Sequence, residues 1–150
     1  MPGTTAAGIE RAGRARDAEL QLACAVSAPG RARTEVRRAI AGVLYGDQAD
    51  AAVLLTSELV TNAVVHPRQP SDAAIGVAIR VAAGHVRVEV RDRGGGFEPG
   101  VAGSARPRGG GLGLALVEAL ASRWGAGPEV VGGEQRFCVW FEVGSRLPSG

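Results

Sequence analysis

Lysine is absent from this chain: all 17 basic residues are arginine. That absence removes the phosphate-binding loop of the G-x-x-x-x-G-K-[ST] kind, the strand lysine of eukaryotic-type protein kinases and any Schiff-base mechanism. Cysteine is scarce as well, with Cys24 and Cys138 far apart in apolar, strand-like runs, so buried free thiols are expected and a zinc site of Cys/His spacing is excluded. No apolar run approaches the roughly 20 residues that span a bilayer, and the first residues lack the apolar centre of a signal peptide. The expectation is a cytoplasmic protein with no membrane partner. A net charge of +2 argues against direct nucleic-acid binding. The local cluster Arg31, Arg33, Arg37 and Arg38 reads as a solvated helix face.

What is present is one ordinary domain's worth of chain, 150 residues with no internal repeat. Residues 1–17 are polar, rich in Ala, Gly and Arg and without period, and read as a flexible tail; residues 18–144 form the domain and 145–150 a second tail. A strand is expected over 20–26, a turn over 27–30 and a helix over 32–44 ended by Gly46. Asp47 or Asp50 then caps a second helix that reaches His66, where Pro67 stops it. Residues 75–81 and 86–91 read as an antiparallel hairpin. Its second strand alternates Arg87, Glu89 and Arg91 with Val86, Val88 and Val90, so the sheet is expected to be covered on one side only. Residues 97–111 are Gly, Pro, Arg and Ser with few apolar anchors, as in a mobile loop. Residues 112–123 resume helical spacing, and 129–131 with 137–143 read as a second hairpin turned at Gly132 and Gly133.

The most informative stretch is E-L-V-T-N-A-V-V-H, Glu58 to His66. On a helix Glu58, Asn62 and His66 stand at spacings of four and make one stripe, with Ala51, Leu55 and Leu59 pointing nearly the same way. An acid and an amide on a buried-looking face ask for a ligand, a metal or a dedicated hydrogen-bond network, since burying them unpaired costs several kcal/mol. Two glycine-rich turns follow. Asp92, ending an apolar strand before Gly94 and Gly96, is placed either to accept a hydrogen bond from a base amino group or merely to cap the turn. The run Gly109 to Gly113, opening a helix at Leu112, either offers free backbone N–H groups to a polyphosphate or is a flexible linker.

In that order the three segments resemble the N box (Glu58, Asn62, His66), G1 box (Asp92, Gly94, Gly96) and G2 box (Gly109, Gly111, Gly113) of the GHKL superfamily, the ATP-binding fold of histidine kinases. The resemblance covers about residues 20–143. With Val139-Trp140-Phe141-Glu142 on the last strand, the chain looks most like the stand-alone bacterial anti-sigma-factor serine/threonine kinase branch. The resemblance implies an α+β fold, a two-layer sandwich of a mixed, mostly antiparallel sheet with helices on one face. It implies ATP and Mg²⁺ as cofactors, with Asn62 on the metal, Glu58 orienting or deprotonating the attacking hydroxyl, and Asp92 reading the adenine amino group. Loop 97–111 would be an ATP lid in which Arg106 and Arg108 either contact the γ-phosphate or remain solvated. Leu112 and Gly113 would begin the phosphate-facing helix, and His66 would either close the site or hold structure. The implied partners are a sigma factor and an anti-sigma-factor antagonist protein, and a homodimer is compatible with the branch.

One departure stands out. Relatives approach the last strand through Gly-Gly-Lys-Thr, whereas here Gly132-Gly133 precedes Glu134-Gln135-Arg136-Phe137, and Cys138 takes the place expected for a threonine with a water-mediated adenine contact. A non-catalytic, nucleotide-dependent protein-binding module is the alternative to a kinase, and Glu58 favours the kinase because sensing alone needs no general base. A Rossmann-type enzyme is disfavoured, since its glycines belong directly after the first strand of a βαβ unit.

Overall fold

The computed structural model describes residues 9–10, 17–65, 74–93 and 112–145. Six strands and three helices occur there: β1 (Ile9–Glu10), β2 (Ala18–Ala23), α1 (Ala28–Ile40), α2 (Gly46–Val65), β3 (Ala74–Ala82), β4 (His85–Asp92), α3 (Leu112–Leu120), β5 (Arg123–Val131) and β6 (Glu134–Gly144). The strands lie in the order β1-β2-β3-β4-β6-β5, and every described ladder is antiparallel. The expected α+β class holds, while the expected parallel component is not found among the described residues. Hairpins join β3 to β4 and β5 to β6, and such connections force antiparallel neighbours.

Alternation builds the two faces. Leu20 and Leu22 of β2, Ile75, Val77 and Ile79 of β3, Val86, Val88 and Val90 of β4, and Phe141 and Val143 of β6 enter one apolar core. Ala32, Val36, Ala39 and Ile40 of α1, Leu55, Leu59, Val60 and Ala63 of α2, and Val117 of α3 close it from the helix side. Each fully buried valine, leucine, isoleucine or phenylalanine side chain of this set contributes about 1.5–3 kcal/mol through area removed from water. Among the described residues the helices cover one face of the sheet only, as the alternation in β4 predicts.

Several boundaries differ from expectation, each for a local reason. Ile9 and Glu10, inside the stretch read as a tail, pair with Leu20 and Glu19, and the Asp17 carboxylate accepts the Val81 N–H at 2.9 Å. The ordered fold therefore begins before residue 18. Helix α1 starts at Ala28 because Pro29 fits the first helical positions, where its missing N–H costs nothing. Gly46, read as a terminator, opens α2 with φ 55°. The fifth strand is three times the expected length, since Gly125, Gly127 and Pro128 weaken a central strand yet are tolerated on this edge. Gly132 and Gly133, at φ 59° and 83°, supply the pair of positive φ angles that a tight two-residue hairpin turn requires.

Candidate nucleotide site

Four strands and the C-terminal end of α2 meet at one end of the sheet. At that end Ala23 pairs with Ala74, Gly76 with Arg91, and Asp92 with Phe137. The Cys24 thiol, just past β2, donates to the Val64 carbonyl at 3.8 Å and so fixes the C-terminal end of α2 there. The opposite end carries the His85–Gly144 pair, and the exit of α3 is held near it by Ser122, whose N–H and hydroxyl both donate to the Glu142 carbonyl at 2.8 and 2.9 Å. Helix α3 therefore finishes at that end, having opened at Leu112 and Gly113.

Glu58 and Asn62 are half-buried on α2, beside the buried row Ala51, Leu55 and Leu59. They occupy the edge of the buried face rather than its centre, on the flank away from α1; the opposite flank faces α1, where Arg33 donates to the Ser57 hydroxyl at 2.8 Å. An acid and an amide at such an edge keep access to a ligand without full desolvation. Asp92 is buried, at 9 % exposure, and its alternation with Val86, Val88 and Val90 turns its carboxylate to the helix face, the side on which α2 lies. The structure thus brings Glu58, Asn62 and Asp92 to one side and Asp92 to the end where α2 finishes. His66, Gly94, Gly96, Arg106, Arg108, Gly109 and Gly111, with the rest of the expected lid, lie outside the described residues.

Among the described residues no three His, Cys, Asp or Glu side chains cluster to hold a metal by themselves. The donor set still suits Mg²⁺, a hard cation that takes one or two protein oxygens and completes its shell from phosphates and water. The side-chain oxygen of Asn62 is of that kind.

Cys138 does not stand where a threonine would serve a base. It alternates with Phe137 and Val139 and points to the face opposite the helices, among Arg91, Glu129, Glu89 and Arg87. Burial pushes its thiol up to about 11, only partly offset by the Arg91 guanidinium, so it stays protonated and unreactive. The residue of β6 directly opposite Asp92 is Phe137, which is buried.

That far face is not the simply solvated surface its alternating charges suggest. Glu89 is buried between Arg87 at 2.8 Å and Arg91 at 2.9 Å. Glu142, 1 % exposed, accepts from Arg87 at 3.0 Å and pairs with His85 at 3.1 Å. The Arg87 guanidinium lies 3.9 Å over the Trp140 ring, which rests against Gly125, where an added Cβ would come within 2.7 Å of the indole nitrogen. Sequence periodicity marks these residues as one face but not as a network, because register decides which charges meet.

The network has a pH signature. Burial alone would raise the Glu89 carboxyl, and the Arg87 and Arg91 guanidiniums more than offset it, leaving the group below its ordinary 4.5. A carboxyl depressed on folding adds stability that is complete above its unfolded value and fades as pH falls through the folded one. Stability to urea is therefore expected to decline below about pH 4.5, and Glu89→Gln to flatten that decline. An equally steep decline in the variant would assign the acid sensitivity to other carboxyls.

Residues 22–141 match the family model of the histidine kinase-like ATPase domain. None of the curated proteins matches the chain significantly. Among solved structures, the mycobacterial sensor histidine kinase MprB is 16% identical, with 85% of this chain and 98% of that chain covered and a TM-score of 0.49. The histidine kinase domain of the blue-light activated histidine kinase EL346 of Erythrobacter litoralis is 23% identical, with 75% and 58% covered and a TM-score of 0.42. No described helix is long and apolar enough to cross a membrane.

Proposed function

Because the chain belongs to the histidine kinase-like ATPase family, whose domains bind ATP and serve kinase-like regulatory roles, we propose that it is a Mg·ATP-dependent serine/threonine protein kinase of the anti-sigma-factor kind. In this reading it holds a sigma factor and phosphorylates an anti-sigma-factor antagonist. The observation that carries it is the Glu58–Asn62 pair, half-buried on one stripe of α2 on the side to which the Asp92 carboxylate turns. A nucleotide lying from Asp92 toward the N-terminus of α3 meets a hydrogen-bond acceptor at its base and a helix dipole at its phosphates. Asn62 would hold Mg²⁺, which when bound neutralises charge on the β- and γ-phosphates.

Glu58 has the remaining task. The incoming serine or threonine oxygen bonds to the γ-phosphorus while the bond to the β–γ bridging oxygen breaks; ADP leaves and the hydroxyl proton passes to the Glu58 carboxylate. A group for this step must sit beside the phosphates without being spent on the metal or the base, and Glu58, one helical turn from Asn62, meets that requirement. A kinase of this kind needs no lysine, since backbone N–H groups at a helix N-terminus and arginine can take the phosphate role.

The test is incubation of the purified protein with γ-labelled ATP, Mg²⁺ and candidate antagonist proteins, followed by location of the label. Label on an antagonist serine or threonine is expected. Binding of nucleotide without transfer to any antagonist would replace the kinase by a nucleotide-dependent protein-binding module.

A further inference from the structure

Both neighbours of Asp92 are arginines, and each is tied to the β5–β6 hairpin. Arg91 points to the face opposite the helices and reaches Glu129 of β5 across β6, which lies between the two strands. Two strand spacings amount to about 10 Å, within reach only of the longest side chains. The side chain that Arg91 must pass over is Cys138, its register partner on β6, and the smallness of that residue leaves the path open. A second arginine nitrogen donates to Glu89 at 2.9 Å, so the guanidinium is held by two carboxylates at once. On the other side of Asp92, Arg93 donates to both oxygens of Glu134 at 3.2 Å. The side chains of Arg91 and Glu129 are 29% and 31% exposed, and those of Arg93 and Glu134 37% and 49%. The former pair is less screened and carries the larger share of the constraint.

We propose that Glu129, acting through Arg91, is a positioning residue for base recognition: the clamp fixes the backbone on either side of Asp92, so that its carboxylate is aimed before the nucleotide arrives. This rests on the reading of Asp92 as the acceptor of the base amino group. Asp92 is the last residue of β4, and a hydrogen bond to a base is lost when its acceptor is free to turn away. Glu129 touches no nucleotide. Its effect is therefore confined to the part of the affinity that comes from Asp92, and the phosphate and metal contacts are unaffected.

The experiment compares Mg·ATP with Mg·inosine triphosphate, which carries a carbonyl in place of the amino group, on the wild type, Glu129→Gln and Arg91→Lys. Glu129→Gln is expected to weaken ATP roughly 5- to 10-fold and to leave inosine triphosphate within about twofold, collapsing discrimination by the same factor. Arg91→Lys keeps the charge but loses the fork that engages two carboxylates, and is expected to move the ratio in the same direction. Equal loss for both nucleotides, or no change in either, overturns the proposal, with the melting temperature of the unliganded variants separating general destabilisation from loss of aim. A wild type that binds both nucleotides equally removes the role of Asp92 and the clamp with it, whereas a wild type that binds neither removes the nucleotide reading itself.

Discussion

Glu58→Gln is expected to slow phosphoryl transfer to an antagonist serine or threonine roughly 10²- to 10⁴-fold, the usual contribution of a positioned general base. The amide keeps the shape of the carboxylate and still hydrogen-bonds, but it cannot take the hydroxyl proton. Binding of Mg·ATP is expected to survive, because the metal falls to Asn62 and the base to Asp92. Glu58 is only half-buried at the edge of α2's packed face, so the substitution buries no new unpaired polar group and leaves the fold intact. Single-turnover transfer and equilibrium affinity, measured on one preparation, separate the two effects. Transfer by Glu58→Gln as fast as wild type would end the assignment of Glu58 as base.

Phe141→Ala is expected to cost about 3–5 kcal/mol of folding stability. Phe141 heads the fully buried side chains, at 0% exposure, and stands on β6 directly between Val88 of β4 and Trp124 of β5. Its ring links the helix layer to three strands, one of which ends beside the candidate site. Against a typical total of about 5–15 kcal/mol, a loss of this size removes a large part of the folded state's margin. Urea unfolding with an unchanged slope would register it as a lower midpoint. A loss under about 1 kcal/mol would mean that the β6 core is packed differently.

The parts of the fold legible in the sequence are those governed by local period. The stripe on α2 follows from spacing alone, as does the β3–β4 hairpin, where β-branched residues alternate with charges. The turn at Gly132 and Gly133 follows from the need for positive φ. Long-range pairing that overrides local signals leaves no such trace in the sequence. Nothing local in Ile9–Glu10 announces a partner in β2. The glycines and proline of β5 hide a nine-residue edge strand until β6 is seen to pair along its whole length. Cys138 illustrates the same limit in the site: motif position suggested a place beside the base, while alternation within β6 turns its side chain to the far face. The clamp on Arg91 was equally hidden, because it joins strands that are not neighbours in the sheet.

The central claim, that one site at the Asp92 end of the sheet takes Mg·ATP, is tested most directly by thermal unfolding with and without millimolar Mg·ATP. A ligand present at 100 times its dissociation constant stabilises the fold by about 2.7 kcal/mol, which for a domain of this size corresponds to a rise in Tm of several degrees, lost on addition of EDTA if the metal bridges phosphate and protein. That rise is expected for the wild type, and a smaller one for Asn62→Asp and Asp92→Asn. An unchanged melting temperature with millimolar Mg·ATP would contradict it.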